Sequence, residues 1–166
     1  SGENLTAVEV GRPLFMRTPN SKFDLANFFK SQLYSAFAPL KIGHDIIAKQ
    51  EHIPTDVMVA QGGIFRTPKI AQQVLADALD IPITVMANAG VGGPWGMAVL
   101  AAYTQDNRGA ASLADYLDAH VFGKAAGTTL APDPAGVAGY DAYIQAYTAG
   151  LPAEIAGAAA PDYTAP

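Results

Sequence analysis

Val57-Met58-Val59-Ala60-Gln61-Gly62-Gly63-Ile64-Phe65-Arg66-Thr67-Pro68 joins a short apolar run to a glycine pair and a helix start. Val57 to Ala60 is too brief for a helix and suits a strand covered on both faces, closed by Gly62-Gly63. Thr67 offers a capping hydroxyl directly before Pro68, and proline is favoured at the first helical position. Ile70, Val74, Leu75, Ala78 and Leu79 then mark one apolar face of a helix that ends by Asp80. Glycines at such a junction let a ligand approach bare backbone, and the helix N-terminus presents free amides and the positive end of its dipole. The same pair also satisfies plain turn geometry, so the motif alone leaves both readings open.

Working outward, Leu25, Phe29, Leu33, Ala36, Leu40 and Ile47 fall near helical spacing behind a capping Asp24. They predict a long helix ending near Glu51, bent or split at Pro39, whose ring clashes with the carbonyl four residues back. Ser1 to Asn20 reads as a connection with one brief strand at Leu14 to Arg17. Downstream, Pro82 to Met86 is a second β-rich run, Ala89 to Gly93 a glycine turn and Trp95 to Tyr103 an alanine-rich buried helix. Helices and strands alternating through short loops predict an α/β layer with a parallel sheet. A further helix is expected over Leu113 to Phe122, and Gly123 to Gly139 is rich in glycine and proline. Tyr140, Tyr143 and Tyr147 place aromatic rings on one helical face, and the chain beyond Gly150 has little to bury and is expected to fray.

At 166 residues, half of them hydrophobic, the chain is long enough for one domain with its own core. Charged residues make up only 15% and the net charge is −5, which leaves no basic field to neutralise a nucleic-acid backbone. The absence of cysteine removes disulfides, thiolate metal sites and cysteine nucleophiles together, and fits a cytoplasmic setting. Apolar runs such as Met97 to Tyr103 fall far short of the roughly 20 residues needed to span a bilayer. The opening Ser1-Gly2-Glu3, with neither initiator methionine nor targeting pattern, predicts that the chain is a fragment.

Chemistry-bearing motifs are few. Asn88-Ala89-Gly90-Val91-Gly92-Gly93-Pro94-Trp95-Gly96 follows a strand and opens a helix, yet a dinucleotide fingerprint would put its third glycine at Trp95, and no acid occurs before Asp106. No Gly-Lys-Ser or Gly-Lys-Thr exists for a P-loop, and no Gly-x-Ser-x-Gly for a nucleophile elbow. His44, His52 and His120 lack the spacing of a helix-borne metal site and read as surface or helix-end residues. Lys30 and Lys69 offer charges that could meet phosphates, although lone helix lysines are usually solvated, and Trp95 reads as a packing residue.

Taken in order, Gly62-Gly63-Ile64-Phe65-Arg66-Thr67-Pro68, Gln73-Val74-Leu75-Ala76-Asp77, Ile81-Pro82-Ile83 and Gly96-Met97-Ala98-Val99-Leu100-Ala101-Ala102 resemble the C-terminal signature of FGGY carbohydrate kinases. Lys30-Ser31-Gln32-Leu33-Tyr34-Ser35-Ala36 is similar to the family helix that flanks the adenine, and the Phe65-Arg66-Thr67-Pro68 and Gly93-Pro94-Trp95-Gly96 variants look most like the ribulokinase and xylulokinase branches. The resemblance implies an actin-like, ribonuclease-H-like C-terminal nucleotide-binding domain over 1–150, a tail over 151–166, and a cytoplasmic enzyme that phosphorylates a ketose with ATP and Mg²⁺. It implies that Gly62 and Gly63 contact the nucleotide and that Thr67 makes a polar adenine or ribose contact. The family's Asp-x-Gly-Thr loop and catalytic aspartate have no counterpart here, which implies a missing N-terminal kinase domain, no catalytic residue or metal site in this chain, and an inactive fragment. Three positions depart from the pattern: Ile64 stands for a third glycine, Asp80 for the glycine after the Ala-Asp helix, and Val91 for an acid. These departures keep a second reading in view, a kinase-derived module that binds or interacts without catalysing. The Gly90 turn alone supports a third, a dinucleotide-binding domain.

Overall fold

In the computed structural model, which describes residues 3–106, 112–122 and 126–160, the short apolar runs do become strands. The chain forms two units, Ser1–Pro54 with Pro134–Pro166, and Thr55–Asp133.

The second of these carries the glycine turns. Strand β1 (Met58–Ala60) pairs in parallel with β2 (Ile83–Met86), Met58 opposite Ile83. Helix α2 (Ile70–Leu79) makes the crossover and buries Leu75, Ala76, Ala78 and Leu79, while Ile83 is fully buried in β2. A third strand, β3 (Gly127–Leu130), runs antiparallel to β2, so the sheet is mixed where a parallel one was expected. It lies in the Gly- and Pro-rich stretch that offers no apolar alternation. Its pairing comes from partners instead: Thr129 meets Thr84 across the ladder with hydroxyl oxygens 2.7 Å apart. Gln72, buried in α2, ties the layers by donating its Nε2 hydrogens to the carbonyls of Ile83 (2.8 Å) and Thr128 (2.6 Å). Asp77 Oδ1 accepts from Gln73 Nε2 and from the Asp133 backbone amide, both at 2.8 Å.

Two helix expectations need correction here. Helix α2 begins at Ile70 rather than at Pro68, and Thr67 does not cap it: Lys69 is the N-cap residue, at φ 68°, with no side-chain cap bond. Residues Gly63–Arg66 wind into a 3₁₀ turn, and this tighter coil carries Thr67 and Pro68 out of helical register. Helix α3 (Gly92–Asp106) exists, but Met97 is 70% exposed and Leu100 is exposed as well, so it is not a buried helix. It is apolar on every side and only part of it finds cover, through Trp95 on Phe122 and Tyr103 on Tyr116. Those partners belong to α4 (Leu113–Leu117) and the wider-wound Asp118–Phe122 that continues it.

The other unit is helical. Asp24 caps α1 (Leu25–Asp45) by accepting from the Asn27 amide at 2.8 Å, and Ile46–Gln50 prolongs it in a wider π-type coil. Pro39 lies within α1 without splitting it. Helix α5 (Pro134–Ala158) packs on α1 through the fully buried Tyr140, whose hydroxyl donates to the Tyr34 carbonyl at 2.9 Å. Tyr143 meets Tyr34 edge-on, with ring centroids 5.1 Å apart. The chain past Gly150 is helical to Ala158, and Arg12 Nη1 donates to the carbonyls of Gly157 and Ala160; residues 161–166 of the tail expected to fray lie outside the described residues. No strand forms at Leu14 to Arg17, since nothing pairs with it; the β-type contact of this region is the Glu3–Val8 bridge. His44 lies at the helix end, in the last turn of α1, and is buried there.

Candidate nucleotide site

Beyond the carboxyl end of β2 the Thr55–Asp133 unit opens into a cavity of about 470 Å³. Open α/β sheets bind ligands outside the carboxyl ends of their strands, and ligand pockets span about 300–1,000 Å³. Its walls are the 3₁₀ turn and the start of α2 on one side (Phe65, Arg66, Lys69, Gln72) and the turn after β2 on the other (Asn88, Gly90, Val91), with Gly127 and Thr128 of β3 completing it.

The two glycine turns are joined by backbone. The Gly62 amide donates to the Ala89 carbonyl at 2.8 Å, which holds the first turn against the second. Gly62 sits at φ 134°, ψ 165°, a conformation in which a Cβ would be strained, so glycine is required by the backbone itself. Gly63 has no such constraint, and a Cβ built there would meet nothing within 4 Å. At Gly90 the matter is space: a Cβ there would lie 2.8 Å from Arg66 Cγ.

Gly62, Gly63 and Thr67 flank this cavity and are absent from its lining, which begins in that segment at Phe65. Gly63 and Thr67 are exposed. Sequence pattern did not single out Arg66, Asn88 and Thr128; Lys69 is exposed, as expected, and lines the cavity. A signal was there to find in Arg66 and Lys69, two cations directly behind a glycine pair. Among the described residues neither makes an ion pair or a hydrogen bond through its side chain. Of the three departures, Val91 lines the cavity and Ile64 and Asp80 do not.

Among the described residues no aspartate or glutamate lines the cavity, so these residues fit the anionic chain and flat base of a nucleotide and do not fit a Mg²⁺ ion. Among the described residues no group of three His, Asp or Glu side chains is assembled, and no helix is long and apolar enough to cross a membrane.

With this geometry established, comparison with known proteins gives one finding: the family model described as the FGGY family of carbohydrate kinases, C-terminal domain, matches residues 1–105. No curated protein and no solved structure matches.

Proposed function

Because the chain belongs to the FGGY family of carbohydrate kinases through that family's C-terminal domain, we propose that it is the ATP-binding part of a kinase acting on a ketose of the ribulose or xylulose type. Membership makes the fold that of the actin-like ATPases, represented here by a three-stranded sheet flanked by helices. The observation that carries the nucleotide reading is the β2 cavity, with two unpaired cations, no acid in its lining, and an aromatic ring at Phe65. In this reading the nucleotide base and α-phosphate run along the paired turns, with Gly62, Gly63 and Thr67 on the outer side and Arg66 and Lys69 within. The nucleotide-binding domain extends to about residue 150, past the family match.

ATP supplies the phosphoryl group to be transferred. What these residues would do is bind and orient: phosphoryl transfer depends on placing the donor in line with the sugar hydroxyl and on stabilising charge. The catalytic aspartate that takes the hydroxyl proton, and the carboxylates that hold Mg²⁺, are assigned to an N-terminal kinase domain in a cytoplasmic parent enzyme. The isolated chain is accordingly expected to bind nucleotide and to be inactive.

Calorimetric titration of the chain with ATP and ADP tests the binding claim. A coupled assay of ADP release by the full parent enzyme, run with ribulose and xylulose, tests the reaction. Nucleotide-independent heats in both proteins would sink the ATP reading, and binding without turnover of any ketose would favour the non-catalytic module.

A further inference from the structure

The cavity holds a feature that nucleotide binding in general does not require. The Arg66 side chain is laid across the Gly90 turn, so that a Cβ at residue 90 would lie 2.8 Å from its Cγ, 3.2 Å from its Nε and 3.6 Å from its Cδ. A bare backbone at 90 is what allows this stem to lie so close. The guanidinium that it carries lines the cavity beside Lys69, and no carboxylate lies in that lining to neutralise either cation. Lys69 is itself held at φ 68°, a conformation that side-chain-bearing residues adopt at a cost and that tends to persist where the surrounding structure enforces it.

We propose that Arg66, seated on Gly90, is the specificity-determining residue of this cavity, selecting nucleotides by their phosphate chain and discriminating ADP and ATP from adenosine. The inference rests on the ATP reading and adds a division of labour to it. The base is held by Phe65 and the turn after β2, and supplies binding common to every adenine compound. The phosphates meet the Arg66 fork, whose planar donors match phosphate oxygens two at a time, with Lys69 as a second point charge. Since Gly90 sets where the Arg66 stem lies, it acts as a positioning residue: Gly90→Ala leaves both charges in place and moves the fork. The arrangement also accounts for a glycine at 90 in a turn that lacks a dinucleotide fingerprint.

The test is isothermal titration of the full chain with ADP and with adenosine, for the wild type, Arg66→Gln, Arg66→Lys and Gly90→Ala. Arg66 is exposed, so its substitution leaves the core intact, and urea titration of each variant checks that the fold survives. A charge-assisted hydrogen-bond pair corresponds to roughly a 10-fold change in affinity or more. Arg66→Gln is expected to weaken ADP about that much and to leave adenosine within roughly twofold; Arg66→Lys should recover part of the loss, and Gly90→Ala should follow Arg66→Gln. The salt dependence of ADP binding should become shallower in Arg66→Gln. Unchanged ADP affinity in Arg66→Gln, or equal losses for ADP and adenosine, overturns the proposal while the ATP reading stands. Failure of the wild-type chain to bind either compound overturns this proposal, and the ATP reading falls with it only where the parent enzyme also fails to bind.

Discussion

Gly62 provides the sharpest separation between a glycine kept for backbone shape and one kept for ligand access. Its φ of 134° and ψ of 165° lie in a region that is essentially reserved for glycine, and holding alanine there costs about 1–3 kcal/mol. Space is not the issue, since a Cβ at 62 would meet nothing within 4 Å. If the backbone relaxes to avoid the strain, the 2.8 Å hydrogen bond from the Gly62 amide to Ala89 is lost instead, at about 0.5–1.5 kcal/mol. The two routes together predict that Gly62→Ala is destabilised by about 0.5–3 kcal/mol. Gly63→Ala, one residue on, has open space and no positive φ, so it should be neutral or gain about 0.4–1 kcal/mol through the unfolded state. Urea unfolding followed by tryptophan fluorescence suits the comparison, because Trp95 is the single tryptophan and lies in the same unit as both glycines. Equal midpoints for Gly62→Ala and wild type would refute the backbone argument. A stable Gly63→Ala that has lost ADP would show that residue 63 is glycine for the ligand's sake.

Asp80 closes α2 in the left-handed conformation at φ 55°, ψ 40°, so Asp80→Gly should stabilise the chain by about 0.5–1 kcal/mol, read as a higher urea midpoint. Gln72→Leu leaves the carbonyls of Ile83 and Thr128 without their side-chain donor inside the layer and should cost about 1–3 kcal/mol; a wild-type midpoint would mean that Gln72 does not tie the sheet. Burial first, and then the neighbouring Tyr147, pushes the Tyr143 phenol up to about 12, and burial with Tyr143 and Tyr34 raises Tyr140 further. The folded state thus keeps these protons longer than the unfolded one, so their contribution is whole below pH 10 and is lost as pH rises towards 12. Helicity followed against pH should fall across that window, and Tyr140→Phe should flatten the fall.

What the sequence made legible was local. The Asp24 cap, the crossover helix after the glycine pair and the tyrosine face of α5 each depend on residues close together in the chain, where spacing and side-chain chemistry report directly. Strand β3 depends on a partner more than forty residues away, and Gly127-Thr128-Thr129-Leu130 carries no periodicity of its own. Its glycine is explained only by the pairing, which sets Met86 Sδ and Thr84 Cγ2 each 3.0 Å from any Cβ at 127. Helix α3 shows the reverse failure: composition alone suggested burial, yet burial needs neighbours, and few cover it. At the candidate site the glycines stood out because glycine is read by its conformational meaning. Arg66 did not, because a lone cation in a sequence looks like a solvated one until a cavity is shown to contain it.

The three departures from the family pattern also separate once they are placed. Ile64, which stands where the pattern has a third glycine, belongs to the Gly63–Arg66 turn and is absent from the cavity wall. Asp80 concerns only the backbone at the end of α2, in a left-handed conformation that glycine adopts at least cost. Val91 alone touches the candidate site, and its effect there runs against a simple loss of function. A carboxylate at 91 would stand in the same cavity as Arg66 and Lys69 and compete with phosphate for them, whereas valine leaves both cations free to meet an anion. The substitution that looks most like decay in the sequence is, in the fold, consistent with a cavity whose charge is reserved for its ligand.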